Sequence, residues 1–213
     1  GSLEANTSGS YNTAIGVQAL KLNQTGSDST AIGGSALYRS TGGVNSAFGD
    51  TAGYSITSGT YNTAIGRHTF GSTTALSTGS YNIAVGEGAL YDNTSGAYNV
   101  GIGVNALQSN TTGENYTAVG YNALTSVNSG SGFGSSAFGS TALQNTTSGT
   151  FNSAFGAFSL QANTIGNANS AFGSGALYSN ISGSRNAAFG LDVMNENTTG
   201  TENSAFGSDA LDH

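Results

Sequence analysis

Two short apolar patches alternate with polar segments along the whole chain. One is a small residue followed by Ile, Val or Phe and then Gly, as in Ala14-Ile15-Gly16, and the other ends four residues later, as in Ala19-Leu20. The first patch occurs twelve times, and its Gly recurs most often at an interval of 17 residues. Patches this short, without apolar positions at i, i+3 and i+4, indicate strands and not helices. The pattern therefore predicts two short strands and two turns in each repeat.

A repeat of this length predicts an all-β fold, a parallel β-solenoid of about twelve 17-residue coils stacked at ~4.8 Å. Residues at the same position of successive coils then form a column along the rod. A second Gly precedes the first by seven residues in every repeat, and both Gly columns fit turns that need positive φ or close backbone approach. An Asn column is predicted to form an amide ladder that satisfies turn amides; it contains Asn12, Asn45, Asn62, Asn82, Asn99, Asn152, Asn169, Asn186 and Asn203.

The predicted strands are apolar on both faces. Ala14 and Ile15 are adjacent and must point to opposite sides of a strand, and we expect the same of Ala19 and Leu20. Strands that are apolar on both faces are usually buried on both. Because a thin solenoid has only one interior, we expect the second face to contact other copies of the chain. The Ile15 column changes from Ile or Val to Phe in the C-terminal repeats, which we interpret as altered core packing.

Insertions are confined to one part of the repeat. Each falls between the Leu20 column and the next Gly, most clearly in residues 70–79 and 124–132. A segment that varies in length is predicted to be an exposed loop along one edge of the rod. We interpret residues 1–2 as a cloning scar and residues 3–213 as one repeat domain, a slice of a longer fibre, because Leu3 and Leu211 both lie in the Leu20 column.

Composition and charge exclude several partners. The four Lys and Arg residues against eleven Asp and Glu residues give a net charge of −7, which argues against nucleic acid and against anionic membrane surfaces. The chain has no apolar run long enough to insert into a membrane. It has no Cys, hence no disulfide, thiolate metal site or thiol nucleophile, and no Pro, which would interrupt strand pairing between coils.

Residues suited to catalysis are few and scattered. His68 and His213 are the only imidazoles, and the carboxylates are not paired as glycoside hydrolysis requires. We therefore predict no enzyme activity, no cofactor and no metal site. Sequons such as those at Asn93 and Asn110 recur in the same loop and are interpreted as turn chemistry in preference to glycosylation.

The repeat resembles those of known attachment proteins. The segments 62–66 (NTAIG) and 203–207 (NSAFG) resemble repeats of YadA-like trimeric autotransporter adhesin heads. The longer unit of residues 11–20 (YNTAIGVQAL), with the NTTG of residues 110–113, is similar to repeats of phage and large-virus tail-fibre proteins. The resemblance implies a left-handed parallel β-roll, three chains bundled about one axis, and attachment to a surface. It also implies an extracellular location, on a virion tail fibre or a bacterial cell surface.

Five residues are candidates for ligand binding. Tyr61, Tyr81 and Tyr98 precede the Asn column in three consecutive coils, where a tyrosine ladder either stacks against sugar rings or stabilises the turn. Arg67 and His68 belong to the irregular fourth coil, next to the loop of residues 70–79. We predict that a cell-surface glycan or receptor binds at this least repetitive stretch of the chain.

The leading functional hypothesis is a homotrimeric structural fibre or adhesin segment that mediates attachment to a host cell or surface. Two alternatives stay open. An ice-binding β-solenoid needs regularly spaced Thr, and Thr13, Thr30, Thr63 and Thr117 share a column that other residues interrupt. A polysaccharide-degrading tailspike-type enzyme needs convergent carboxylates, which the sequence does not place together.

Overall fold

The chain forms a parallel β-solenoid with one strand in each coil. A computed structural model describes residues 1–128 and 134–212. Each strand has three residues: β1 (Thr13–Ile15), β2 (Thr30–Ile32), β3 (Ser46–Phe48), β4 (Thr63–Ile65), β5 (Ile83–Val85), β6 (Val100–Ile102), β7 (Thr117–Val119), β8 (Ser136–Phe138), β9 (Ser153–Phe155), β10 (Ser170–Phe172), β11 (Ala187–Phe189) and β12 (Ser204–Phe206). We number the coils 1 to 12 after the strands that they contain.

The twelve strands make one sheet in chain order, and every neighbouring pair is parallel. Equivalent repeat positions lie opposite each other, so that Ala14 pairs with Ala31 and Phe155 with Phe172. The predicted all-β parallel solenoid with a repeat of about 17 residues is therefore confirmed. Within the described residues, no helix is long and apolar enough to cross a membrane.

The second apolar patch of each coil forms consecutive turns. In coil 1, the amide of Ala19 donates to the Gly16 carbonyl and the amide of Lys21 to the Gln18 carbonyl, at 3.3 and 3.2 Å. The intervening Leu20 amide donates instead to the next coil, at 3.0 Å from the Ala36 oxygen. The prediction of two strands in each coil was wrong, because alternate residues here have positive φ, including Leu20 at 50°.

Three columns of apolar side chains fill the interior. They are the Ala in the middle of each strand and the Ala and Leu of the turn segment, represented by Ala31, Ala36 and Leu37, all fully buried. The expectation that Ala19 and Leu20 point to opposite faces was wrong, since both are buried. Strand alternation does not apply to this segment because its backbone is not extended.

The two Gly columns share one structural reason, and one of them has a second. Gly in the column of Gly16 has φ between 117° and 143°, a region that disfavours side chains. Gly9 begins the other column, and a Cβ there would overlap the carbonyl oxygen of Gly26 in the next coil. Both predicted reasons are confirmed: close backbone approach holds in both columns, and positive φ in the column of Gly16.

The predicted Asn ladder is present and buried. The side-chain amide of Asn169 donates to the Gly183 carbonyl at 2.8 Å, and its oxygen accepts the backbone amide of Asn186 at 3.0 Å. A second Asn ladder, which was not predicted, lies three residues before the other Gly column. Its members Asn93 and Asn110 are fully buried and donate to backbone carbonyls, which supports turn chemistry as the reason for these sequons.

The loop of residues 70–79 leaves the core at Phe70, which is fully buried, and returns by a single parallel bridge between Ile56 and Ser77. The prediction of an exposed loop is confirmed in part, because residues 73, 74, 76 and 78 are exposed whereas residues 71, 72, 77 and 79 are buried. The second insertion, in residues 124–132, and the Gly column member Gly132 lie partly or wholly outside the described residues.

Candidate functional surface

The outer face of the sheet carries a continuous apolar stripe. The middle residue of each strand points inward, and the third residue points outward, as predicted for Ala14 and Ile15. This outward column is Ile, Val or Phe in every coil, and most of its members are at least 36% exposed. We call it the outer stripe. The interpretation of its Ile-to-Phe change as altered core packing was wrong, because the stripe lies outside the core.

The C-terminal half of the outer stripe is a ladder of five stacked phenylalanine rings. They are Phe138, Phe155, Phe172, Phe189 and Phe206, with ring centroids 4.7–5.1 Å apart and interplanar angles of 4–8°. In-register parallel strands place identical side chains at the strand spacing, which is the reason for the regular stack. The residues two positions before the rings are Ser or Ala, so the rings form a ridge beside a column of small residues.

The predicted tyrosine ladder is also formed. Tyr61 and Tyr81 stack at 4.9 Å between centroids, and Tyr81 and Tyr98 at 5.1 Å, with interplanar angles of 4° and 5°. The three side chains are 49–57% exposed. The rings therefore cover each other's faces and leave their outer parts in solvent. The ladder both stabilises the turns before the strands and offers an exposed aromatic surface for a ligand.

Arg67 and His68 lie apart from the tyrosines, at the opposite end of the strand. Tyr61 precedes β4 by two residues, whereas Arg67 follows β4 by two residues. Arg67 forms an exposed ion pair with Glu87 at 3.7 Å, and His68 approaches the ring of Tyr91 edge-on at 6.4 Å. The five predicted binding residues therefore form two separate groups at the two borders of the outer face.

A further aromatic pair escaped the sequence analysis. Tyr38 and Tyr54 stack at 5.2 Å, and the Arg39 guanidinium lies 5.0 Å from the Tyr54 ring centroid. Tyr54 follows Gly53, the one Gly in the Leu20 column, and the buried side chains of Leu37 and Ile56 occupy the space next to Gly53. Because Gly53 aligns with Leu37 in the repeat, Tyr54 falls in the column of Tyr38.

The described residues offer little for metal binding or acid–base chemistry. They contain no group of three or more His, Asp or Glu side chains suited to hold a metal ion. Burial raises the pKa of Asp92, which stands in the segment after the Leu20 column. His213, the second imidazole, lies outside the described residues.

Comparisons of the chain with protein-family models, with curated proteins and with solved structures found no match.

Proposed function

We propose that the chain is a structural segment of an extracellular fibre or adhesin that acts as a homotrimeric rod and attaches its bearer to a host cell or surface. The observation that carries the proposal is the outer stripe, which exposes a large apolar side chain in every coil. Monomeric soluble proteins rarely expose a contiguous apolar patch of more than a few hundred Å². A stripe that runs through all twelve coils is typical of a surface that other copies cover.

The stripe is large enough for the apolar centre of an interface. An aromatic side chain has roughly 150–250 Å² to bury, and the six Phe of the stripe, about two fifths exposed, present on the order of 500 Å². The Ile and Val members add to this area. In a trimer each chain shares it between two neighbours, so the stripe forms the apolar centre of each contact and polar residues at its borders complete it. No charged residue belongs to the stripe itself.

A rod of stacked coils also suits attachment. Its hydrogen-bonded ladders repeat the same surface groups at each coil, and three chains multiply any weak contact by avidity. Such weak contacts could come from the two groups of predicted binding residues. These are the tyrosine ladder, which is aromatic, and the pair Arg67 and His68, which is polar. Catalysis is not part of the proposed role.

One observation favours ice binding as a second candidate. Thr13, Thr30, Thr63 and Thr117 occupy the first position of their strands and lie beside the outer stripe on the same face. Hydrophobic residues, Ile83 and Val100, interrupt this column in coils 5 and 6. Ice binding requires the face to be free, whereas a trimer covers it, so the oligomeric state separates the two functions.

The attachment function is tested with coated beads. Beads that carry the parent chain are expected to be retained on bacterial or eukaryotic cell surfaces from a defined panel. Beads coated at equal density with the Phe172→Glu variant should be retained less, because disrupted trimers lose avidity. Equal retention of parent beads and of beads coated with an unrelated acidic protein, on every surface of the panel, would contradict the proposal.

A further inference from the structure

The tyrosine ladder has a regular spacing that a linear ligand could follow. Tyr61, Tyr81 and Tyr98 advance along the rod by 4.9 and 5.1 Å per coil. This step is close to the length of one sugar in an extended β-1,4-linked glycan. From this match we infer that the ladder binds a neutral β-1,4-linked glycan lying parallel to the rod axis. This inference rests on the proposed attachment function.

The orientation of the rings determines which contacts they can make. Because neighbouring rings cover each other's faces, the half of each side chain that is exposed consists of ring edge and phenolic end. A phenol both donates and accepts hydrogen bonds. The ladder therefore offers one hydroxyl per coil to the polar edge of a sugar chain, in place of a flat platform under one sugar ring.

The column beside the ladder adds hydroxyl groups for the polar edge of a sugar chain. Thr60 and Ser80 directly precede Tyr61 and Tyr81, and their hydroxyl oxygens lie 3.4 Å apart. A row of hydroxyls in coils 4 and 5 thus runs beside the row of phenols in coils 4 to 6.

Charge and linkage narrow the ligand class. No charged residue belongs to these two columns within coils 4 to 6, so a neutral chain fits better than a uronate or sialylated one. Successive sugars of an extended β-1,4 chain advance in a nearly straight line, so three of them can each lie opposite one tyrosine of the ladder. Chains with α-1,4 or β-1,3 linkages wind into helices and lose this register.

Binding is tested by isothermal titration calorimetry of the full chain with cellohexaose and chitohexaose. Maltohexaose and laminarihexaose serve as ligands of equal length and different linkage. We expect saturable binding of at least one β-1,4 hexasaccharide and much weaker binding of the other two. Equal affinity for all four, or binding of none, would overturn the inference.

Variants assign the binding to the ladder. Tyr81→Phe keeps the ring stack and removes one hydroxyl, and we expect it to weaken binding about fivefold, the value of one net hydrogen bond. Tyr11→Phe is the matched control. Tyr11 stands in the same column, but the residue of that column in the next coil is Asp28, so Tyr11 is not part of the tyrosine ladder. It should leave the affinity unchanged. Unchanged affinity in Tyr81→Phe, or equal losses in both variants, would contradict the assignment.

The same samples separate this inference from the proposed function. Light scattering before each titration gives the oligomeric state. A trimer that binds none of the hexasaccharides overturns the glycan assignment and leaves the fibre proposal intact. A monomer that binds them as expected supports the ladder as a glycan site and overturns the trimeric rod.

Discussion

The interior of the solenoid and its outer stripe differ in how much their residues vary from coil to coil. The middle strand position, which points inward, is Ala in eleven coils and Gly101 in coil 6. The adjacent outward position is Ile or Val in some coils and Phe in others, with five consecutive Phe from coil 8 onward. One column is almost uniform, and its neighbour on the same three-residue strand changes in size by several carbon atoms.

Packing explains the uniform column. A coil that repeats every 17 residues encloses a fixed volume, and an enlarged side chain inside it would force strain on the coils above and below. The outer stripe meets no such limit, because its side chains extend away from the core. What varies along the stripe is therefore not dictated by the fold and is available for contacts with other molecules. Substitutions at interior positions are therefore expected to lower the stability most, and a substitution on the outer stripe to lower it least.

The largest effect is expected from a charge in the interior. Leu160 is fully buried, so Leu160→Asp should cost about 3–5 kcal/mol of unfolding free energy by leaving an unpaired charge in the core. Leu191→Asp is the matched control, since Leu191 is 51% exposed. Thermal melts followed by circular dichroism at equal protein concentration measure both. Melting temperatures that fall equally in the two variants would show that the Leu20 column does not form the core.

A smaller loss is expected from the buried amide ladder. Asn169→Ala removes the bond to the Gly183 carbonyl and leaves the backbone amide of Asn186 without its acceptor. Unsatisfied buried groups of this kind cost about 1–3 kcal/mol each. The control Asn145→Ala changes an exposed Asn and should stay within about 0.5 kcal/mol of the parent. Chemical denaturation compares the three proteins, and a neutral Asn169→Ala would contradict a stabilising ladder.

A third test addresses the backbone. Gly156 has φ of 141°, and a Cβ there would overlap the Gly173 carbonyl group in the next coil. Gly156→Ala should therefore cost about 1–3 kcal/mol. Gly34→Ala is the control, because its Cβ would meet only the side-chain carboxylate of Asp50, at 2.8 Å. If denaturation shows the two variants to be equally stable, the positive φ of this Gly column is not required by the coil.

The repeat made most of the fold predictable. Fixed intervals between Gly, Asn and Leu determine which residues stack, so the parallel sheet, the Asn169 ladder and the buried Leu160 followed from spacing alone. The turn segment could not be foreseen, because Leu20 and its equivalents have positive φ, which local sequence preferences disfavour. This unusual conformation is accompanied by hydrogen bonds to the next coil. The Leu20 amide, for example, donates to the Ala36 carbonyl.

The candidate surface was predictable only in part. Tyr61, Tyr81 and Tyr98 are equivalent in the repeat, and their stacking followed from that equivalence. Arg67 and His68 were grouped with them because they belong to the same coil, although β4 separates the two sets. Closeness in sequence does not bring residues together when an extended strand lies between them.

The smallest effect on stability is expected on the outer stripe. Phe172 is the central ring of the phenylalanine ladder and is 36% exposed. Phe172→Glu removes two ring contacts and should lower the unfolding free energy of one chain by about 1 kcal/mol. The core residues beneath it are unchanged, so the circular dichroism spectrum should match that of the parent.

The most direct test of the division between interior and outer stripe is the mass in solution of the parent and of Phe172→Glu, measured by light scattering at micromolar concentration. We expect a parent particle of three times the 21.1 kDa chain mass and a folded variant of lower mass, because a charge on the stripe opposes association. A parent that is a monodisperse monomer, or a folded variant that remains a trimer, would contradict the claim that the outer stripe joins the chains.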